Sequence, residues 1–345
     1  MGGLKVWVTS CMERWRARST SRRVGTLHVK IDQLTRRMAQ LAATGTVKQG
    51  GSRAQEVDKG TQIALGLKYR ELLATQVVLP LPEVEFRNYS QSGEDGILHY
   101  IFSLIGSGSR RAVEICAGNG SECNSANLVI HHGWHALLVD GSEKNVRQGR
   151  AFFAKHPGTR INGPVFVRAW VDRDSVNGLI QEHGFSGEVD LLSLDIDGVD
   201  YWIWDAITVM SPRVVVVEVN LTMSASSVTV PYRPDFTAQW VPLADQQGAQ
   251  GASKRPADLR GRGDFYSRYA VYAGASLPAF VKLARRKGYR LVGTNSIGFN
   301  AFFMRDDVGL EHFPELAAAS CLNLNVAAHS ETAVRKLKEY EWQEV

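Results

Sequence analysis

Two groups of residues in this sequence have the types and spacing for ligand chemistry. In the first, an apolar run from Ala112 carries Glu114 and breaks into a glycine-spaced turn through Cys116, Ala117, Gly118 and Gly120, after which the chain reads as a helix. Glycines let a backbone approach a ligand closely, and a helix N-terminus offers free N–H groups. About 20 residues further on, Asp140 closes the run His135–Val139, where a carboxylate can accept hydrogen bonds from both hydroxyls of a ribose. The order Glu-x-x-x-Gly-x-Gly puts the acid before the glycines, unlike the G-x-G-x-x-G of nicotinamide-binding folds.

The second group is Asp195 and Asp197, followed by Glu218 and Asn220 after Val214–Val217. If the strands continue that far, alternation puts Asp195 and Asp197 on one side, and Glu218 and Asn220 likewise. Neighbouring parallel strands lie about 4.8 Å apart, so the four oxygen ligands can converge. Hard oxygen donors suit Mg²⁺, Ca²⁺ or Mn²⁺, and a divalent ion lowers the pKa of a bound hydroxyl. Two other readings stand beside the metal. In one, Asp197 or Glu218 is a metal-free general base; in the other, Asp197 and Gly198 turn the chain while Asp200 caps the next helix. The histidines His131, His132, His135 and His183 fall at the opposite strand edge, and His99 in a helix before the sheet, so all five read as structural.

Around these groups the chain alternates strand and helix. Strands are expected at 111–116, 135–140, 164–169, 189–195, 213–219, 289–294 and 299–304, with helices near 61–75, 97–105, 122–132, 143–154, 173–183, 200–209, 275–287 and 331–341. This alternation predicts an α/β fold with a Rossmann-like sheet of five parallel strands, covered on both faces. The last two strands, joined by only four residues, predict an antiparallel hairpin. Residues 221–270 read as an insertion leaving the ligand edge, a lid or substrate segment. Within and near it, Tyr232, Arg233 and Tyr272, with Asn300 beyond, are candidates to bind a hydroxylated substrate, and Trp240 to stack on one. Residues 61–305 form the expected domain and 306–345 a C-terminal extension without assigned chemistry.

The net charge of +5 is uneven. The first 60 residues carry 12 Lys/Arg against 4 Asp/Glu, a charge of +8, which leaves −3 on the rest. A net-negative body argues against nucleic acid as its substrate, since only the arm can supply phosphate contacts. Residues 4–18 read as a basic, tryptophan-bearing amphipathic helix able to lie on an anionic membrane surface or to pack on protein. Val24, Leu27, Ile31, Leu34, Met38 and Leu41 form an a/d seam, expected to join protomers as a short coiled coil within the arm 1–42, with 43–60 as linker. Four cysteines without a CxxC pair predict a reduced, cytoplasmic protein with no disulfide framework or zinc site. No apolar run is long enough to span a bilayer.

The body, from about 88 to 306, resembles the FkbM-like family of S-adenosylmethionine-dependent methyltransferases. The resemblance is carried by Ser90–Ile97 (SQSGEDGI), Val113–Gly120 (VEICAGNG) with Asn124, Leu138–Gly141 (LVDG), Asp190–Gly198 (DLLSLDIDG) and Asn300–Phe303 (NAFF). It implies the class I methyltransferase fold, in which the closing hairpin separates the sheet from dinucleotide-binding ones. It also implies S-adenosylmethionine as cofactor and O-methylation, often of sugars or hydroxylated natural products. Carried over by position, Gln91, Glu114, Gly118, Gly120 and Asp140 become cofactor contacts, and Ala117 and Gly141 beside them are expected there too. With that cofactor, the acceptor hydroxyl is expected near Asp195, Asp197, Glu218 and Asn220, where the metal reading adds Mg²⁺ or Mn²⁺. Cys116 departs from the pattern, which has glycine there; a cysteine permits the turn if its backbone avoids the left-handed region. A scaffold of the same fold without turnover, joined through the arm, is the alternative, and a nicotinamide-dependent oxidoreductase a weaker one.

Overall fold

The computed structural model describes residues 56–244, 268–322 and 330–345. The expected arm helix, the heptad seam, most of the linker and the middle of the insertion lie outside these residues. The described chain opens with α1 (Lys59–Ala74), a 3-10 turn at Leu81–Val84, and α2 (Glu94–Ile105). The sheet then follows as β1 (Arg111–Ile115), α3 (Ala126–His132), β2 (His135–Asp140), α4 (Glu143–Ala154), β3 (Val165–Arg168), α5 (Val176–Glu182), β4 (Gly187–Leu194), α6 (Asp200–Ala206) and β5 (Met210–Glu218). The insertion holds β6 (Val228–Thr229), β7 (Gln239–Pro242) and β8 (Tyr269–Tyr272). After it come α7 (Leu277–Arg286), β9 (Tyr289–Thr294), β10 (Asn300–Arg305), α8 (Ala318–Cys321), α9 (Glu331–Leu337) and β11 (Gln343–Glu344).

Seven strands form one sheet in the order β3-β2-β1-β4-β5-β10-β9. The first five pair in parallel, and β10 runs antiparallel to both β5 and β9. The expected hairpin therefore closes the sheet by inserting its second strand next to β5. Alternation along β5 shows why the sheet is covered twice. Val214 and Val216 join a core with residues of α2, α3 and α4, while Val215 and Val217 join one with residues of α5, α6 and α7. The face a residue takes matters for the site: with Val214 and Val216 go Glu218 on β5, its register partner Asn300 on β10, and Glu114 on β1.

Two departures from the sequence reading concern the C-terminal extension and the insertion. The insertion contains strands: β7 pairs with β8, and β6 pairs with β11. Tyr340 and Trp342 pack on Tyr272 at ring distances of 4.7 and 5.2 Å. The extension thus returns across the insertion and braces it. Such pairing is non-local and leaves no periodicity in either segment. None of the described helices is long and apolar enough to cross a membrane.

At the strand ends away from the carboxylates, Asp190 is fully buried and ties three elements together. It accepts from the backbone N–H groups of Gly108 (2.9 Å) and Arg110 (2.6 Å) and pairs with Arg213 at 2.8 Å. Arg213 in turn donates to the carbonyls of Ile105 and Gly106. Removing one member of such a buried pair leaves the other uncompensated, at a cost of about 3–5 kcal/mol. Asp190→Ala is expected to lower the urea midpoint by a corresponding amount; a loss below about 1 kcal/mol would show that the pair does not hold the turn before β1.

Candidate functional site

The chemistry-bearing residues gather at the C-terminal ends of β1, β2, β4 and β5. After β1 the chain turns through three left-handed residues, Cys116 (φ +69°), Gly118 (+56°) and Gly120 (+78°). The N–H groups of Cys116 and Ala117 both donate to the carbonyl of Val139, and Gly120 donates to Ala117, so the turn is bonded to β2. Cys116 thus occupies the conformation that the sequence analysis required it to avoid, yet the turn forms. Left-handed backbone at a non-glycine residue costs on the order of 1–2 kcal/mol and persists only where its surroundings impose it.

Asp140 is buried at the end of β2, and its Oδ1 accepts from Ser142 N–H (2.8 Å) and Asn145 Nδ2 (3.1 Å). Glu114 has a different task from cofactor contact. It accepts from the N–H groups of Asn124 and Ser125, each at 2.8 Å, from Ser125 Oγ (2.6 Å) and from Cys123 Sγ (3.0 Å). Its carboxylate folds the loop leading into α3. Ala117 is buried in the core and Gly120 faces the rings of Phe152 and Phe153, where a Cβ would lie 2.8 Å from Phe153. Gly118 has open space where a Cβ would stand, and Gln91 is exposed on the loop before α2.

Asp195, Asp197 and Glu218 converge: each places a carboxylate oxygen within 4.8 Å of the others. The reason differs from simple alternation, because β4 ends at Leu194 and Asp197 is left-handed at φ +52°. The loop is folded back by Asp200, which accepts from Ile196 N–H (2.7 Å) and Gly198 N–H (3.1 Å). Asp200 was expected only as a helix cap; it shapes the site from beneath. Asn220 follows the end of β5 at Glu218 and lines one small cavity with Asp197 and Glu218, but its amide is committed to the chain. Its amide donates to the carbonyls of Val271 and Ala273 and accepts from Met223 N–H, holding the insertion.

Crowding of like charges sets the electrostatics. The Asp195 carboxyl is pushed up to about 8, first by burial and then by Asp197 and Asp200, although its hydrogen bond to Glu218 opposes this. Glu218 is raised as well, first by burial and then by Asp195, and Asp200 rises to about 6 through burial. Burial and the same carboxylates also raise the Cys116 thiol. One proton shared by Asp195 and Glu218, or one bound cation, relieves the repulsion.

Two small cavities flank the loop Ile196–Gly198. One, of about 80 Å³, is lined by Cys116, Asp140, Gly141, Trp170, Ile196 and Phe236; the other, of about 60 Å³, by Asp197, Glu218, Asn220, Thr222 and Trp240. The segment 228–236 forms the roof of the first rather than the acceptor surface expected of it. Trp170 donates from its indole N–H to the carbonyl of Pro234 at 2.8 Å, and sequence reasoning gave it no role. Its signal was an isolated tryptophan just past β3, 62% exposed.

Three of the four expected substrate residues are engaged elsewhere. Tyr232 accepts from Arg173 N–H and lies under its guanidinium at 5.0 Å, Arg233 pairs with Glu341 at 2.9 Å, and the Tyr272 hydroxyl donates to the carbonyl of Glu341. They brace the insertion because the extension and the β3–α5 loop pack against it. Asn300 alone stays at the site. Its Nδ2 donates to Glu94 (2.8 Å), as does that of Asn295 (2.7 Å), while its Oδ1 is buried without a partner. Glu94, fully buried, lies in the SQSGEDGI run and had no role of its own on sequence grounds. The histidines remain structural: His131, His132 and His99 bond Glu56, Gln62 Oε1 and the Gln62 carbonyl.

No protein-family model matches the chain, and no curated protein matches it. Solved structures to which it is similar are S-adenosylmethionine-dependent methyltransferases. One from Clostridium acetobutylicum is 13% identical, with a TM-score of 0.38, covering 70% of this chain and 98% of that one. The CcbJ methyltransferase from Streptomyces caelestis is 14% identical, with a TM-score of 0.34 over 64% of this chain and 99% of that one. The glycopeptide N-methyltransferase MtfA, complexed with S-adenosylmethionine, is 11% identical, with a TM-score of 0.34 over 74% and 97%. Likenesses at this level carry no argument about the chain; its own residues do.

Glycine at 116 would relieve the left-handed cost without removing a hydrogen bond. Cys116→Gly is expected to raise stability by about 1 kcal/mol in urea unfolding; a destabilised variant would show that the thiol itself packs the turn. The raised carboxyls set a pH dependence as well. Their protons are held more tightly in the folded than in the unfolded chain, so the stability they contribute is complete below about pH 4. It is lost as pH rises towards the 8 of Asp195. With chelator present, the thermal midpoint should fall between pH 5.5 and 8.5, and Asp195→Asn should flatten the fall. A midpoint that rises over that interval would contradict the crowding.

Proposed function

We propose that this protein is an S-adenosylmethionine-dependent methyltransferase of the FkbM-like kind, acting on a hydroxyl of a sugar, glycan or related small molecule. The observation that carries the reading is the convergence of Asp195, Asp197 and Glu218 beside the crevice formed by the turn at 116–120 and Asp140. A carboxylate at the end of β2 is placed to accept from ribose hydroxyls, as Asp140 is. Gly118 leaves the backbone open, Gly141 lies under the Trp170 ring, and the carboxylate-rich edge suits a cationic sulfonium and ammonium. When bound, the cofactor supplies an activated methyl group.

The chain's own part is to place the acceptor and remove its proton. In the transfer the carbon–sulfur bond breaks, a carbon–oxygen bond forms, and the acceptor's proton passes to a carboxylate. Glu218 is the group we assign as base once the cationic cofactor, by favouring the ionised carboxylates, displaces the proton it shares with Asp195; Asp195 and Asp197 then hold the hydroxyl. The spacing of the same three oxygens within 4.8 Å favours a second reading, in which they hold Mg²⁺ or Mn²⁺ that acidifies the hydroxyl. Cavities of about 80 and 60 Å³ hold only a few waters each, so both readings require the roof at 228–236 to lift on binding. Joining of protomers through residues 24–41, surface contact through residues 4–18 and a cytoplasmic location belong to the same proposal.

Isothermal titration should detect S-adenosylmethionine binding by the full chain, and Asp140→Ala should weaken it at least tenfold, about 1.4 kcal/mol. No binding to the unmodified chain would end this reading. With a hydroxylated acceptor from a glycan extract, Glu218→Gln should abolish transfer of a labelled methyl group while leaving cofactor affinity within twofold. Activity lost to chelator and restored by Mn²⁺ would select the metal; unchanged activity would select the base. Cofactor binding without transfer to any extract would favour the scaffold.

A further inference from the structure

The strand ends away from the carboxylates border a larger cavity, of about 550 Å³, between α1, α2, α3 and the turn before β1. Trp134 and Arg110, which immediately precede β2 and β1, line it, so about a strand's length of 15–20 Å separates it from the site above. No aspartate or glutamate lines it. Arg70 and Arg110 do, together with the imidazoles of His99 and His132, stacked at 5.1 Å.

Neither arginine has a carboxylate partner among the described residues. Arg70 reaches only the carbonyl of Ser103 at 3.4 Å, and the Arg110 side chain only Ser107 Oγ at 3.3 Å. Asp190 is near, but it is committed to Arg213 and to backbone N–H groups, including that of Arg110 itself. Burial keeps both imidazoles neutral, with the neighbouring cations adding to it: His132 is depressed to about 4 by burial, then by His99, His131, Lys59 and Arg110, and His99 is lowered by burial and then by Arg70. A concave surface with one sign of charge and low-dielectric walls concentrates ions of the other sign. The lining is mixed: Gln62, Ser103 and Ser107 stand with the arginines, while Phe102 and Trp134, meeting edge to face at 4.7 Å, and Ile63, half exposed at the rim, give it an apolar side. The volume falls in the range of about 300–1,000 Å³ usual for a small-molecule site.

We propose that this cavity binds a small soluble organic anion, with a phosphate or carboxylate head between Arg70 and Arg110 and an apolar body against Trp134, Phe102 and Ile63. This site is separate from the methyl-transfer reading and does not depend on it. Octyl phosphate is the probe, titrated into the full chain by calorimetry while the ring signals of His99 and His132 are followed by NMR. Binding is expected to shift both histidine signals. Inorganic phosphate should bind at least tenfold more weakly than octyl phosphate, and octyl glucoside should not bind. The double substitution Arg70→Gln with Arg110→Gln should weaken octyl phosphate at least tenfold, and so should Ile63→Asp, a change at a half-exposed position that the fold tolerates. Absence of octyl phosphate binding at millimolar concentration overturns the proposal, as does affinity unchanged in these variants. Displacement of octyl phosphate by phosphatidylglycerol vesicles overturns the soluble ligand in favour of a bilayer headgroup, whereas failure of vesicles to compete supports it.

Discussion

Carboxylates crowded at one edge of a sheet cannot all be ionised together, and this constraint governs the site. Asp195, Asp197 and Glu218 meet at the ends of two adjacent parallel strands, with Asp200 beneath them; the spacing of those strands is set by backbone hydrogen bonding and not by side chains. The fold therefore imposes a proximity that electrostatics opposes. A protein keeps such an arrangement when something positive completes it: a shared proton, a metal ion, or the charged end of a ligand. The left-handed backbone at Cys116 and Asp197, on neighbouring strands, is a second cost at the same place. Local strain and charge crowding coincide where the functional proposal puts the chemistry.

That cost is supported from outside the edge. Asp200 folds the loop that presents Asp197, Glu114 folds the loop into α3, and Glu94 receives Asn295 and Asn300 across from Glu218. Each of these acids is buried and each serves backbone or amide donors, so none adds to the set that can face a ligand. The division of labour follows from depth. Acids within reach of N–H groups are satisfied by them, and acids beyond the last ladder bonds are left to one another.

The sheet was legible in the sequence because its strands are apolar runs of four to nine residues bounded by turns, and burial on both faces makes such runs continuous. The hairpin β9–β10 was legible from its four-residue connection. The convergence of Asp195 with Glu218 followed from strand adjacency alone. The inclusion of Asp197 did not, because it rests on a left-handed residue and on Asp200, and dihedral signs are not written in residue type when the residue is aspartate. Asn220 was assigned by carrying alternation past the last paired residue; it lines the cavity of Asp197 and Glu218, and the bonds of its amide to the insertion are non-local and left no signal. Tyr232, Arg233 and Tyr272 looked like acceptor residues because aromatic and cationic side chains in a long segment suit hydroxylated ligands. They pack instead on residues as much as 108 positions away, a partnership no local pattern announces.

The bracing of the insertion constrains how a ligand gets in. The roof over the crevice is held at one end by Trp170 on Pro234 and by Arg173 between Trp202 and Tyr232, at 5.5 and 5.0 Å. At the other end it is held by the antiparallel pair β6–β11 and the Arg233–Glu341 bridge. The second set includes backbone hydrogen bonds and packed aromatic rings; the first is made of side chains, namely the Trp170 and Trp202 indole bonds, the Tyr232 hydroxyl on Arg173 N–H, and two cation–π contacts worth about 0.5–1 kcal/mol each. Opening is therefore cheapest at the Trp170 end, on the side of Asp140. The route that costs least also leads past the ribose-binding carboxylate before it reaches Asp195 and Glu218. An ordered site results, in which the cofactor crevice opens first and the cavity beyond the Ile196–Gly198 loop, still braced by the C-terminal extension, opens second.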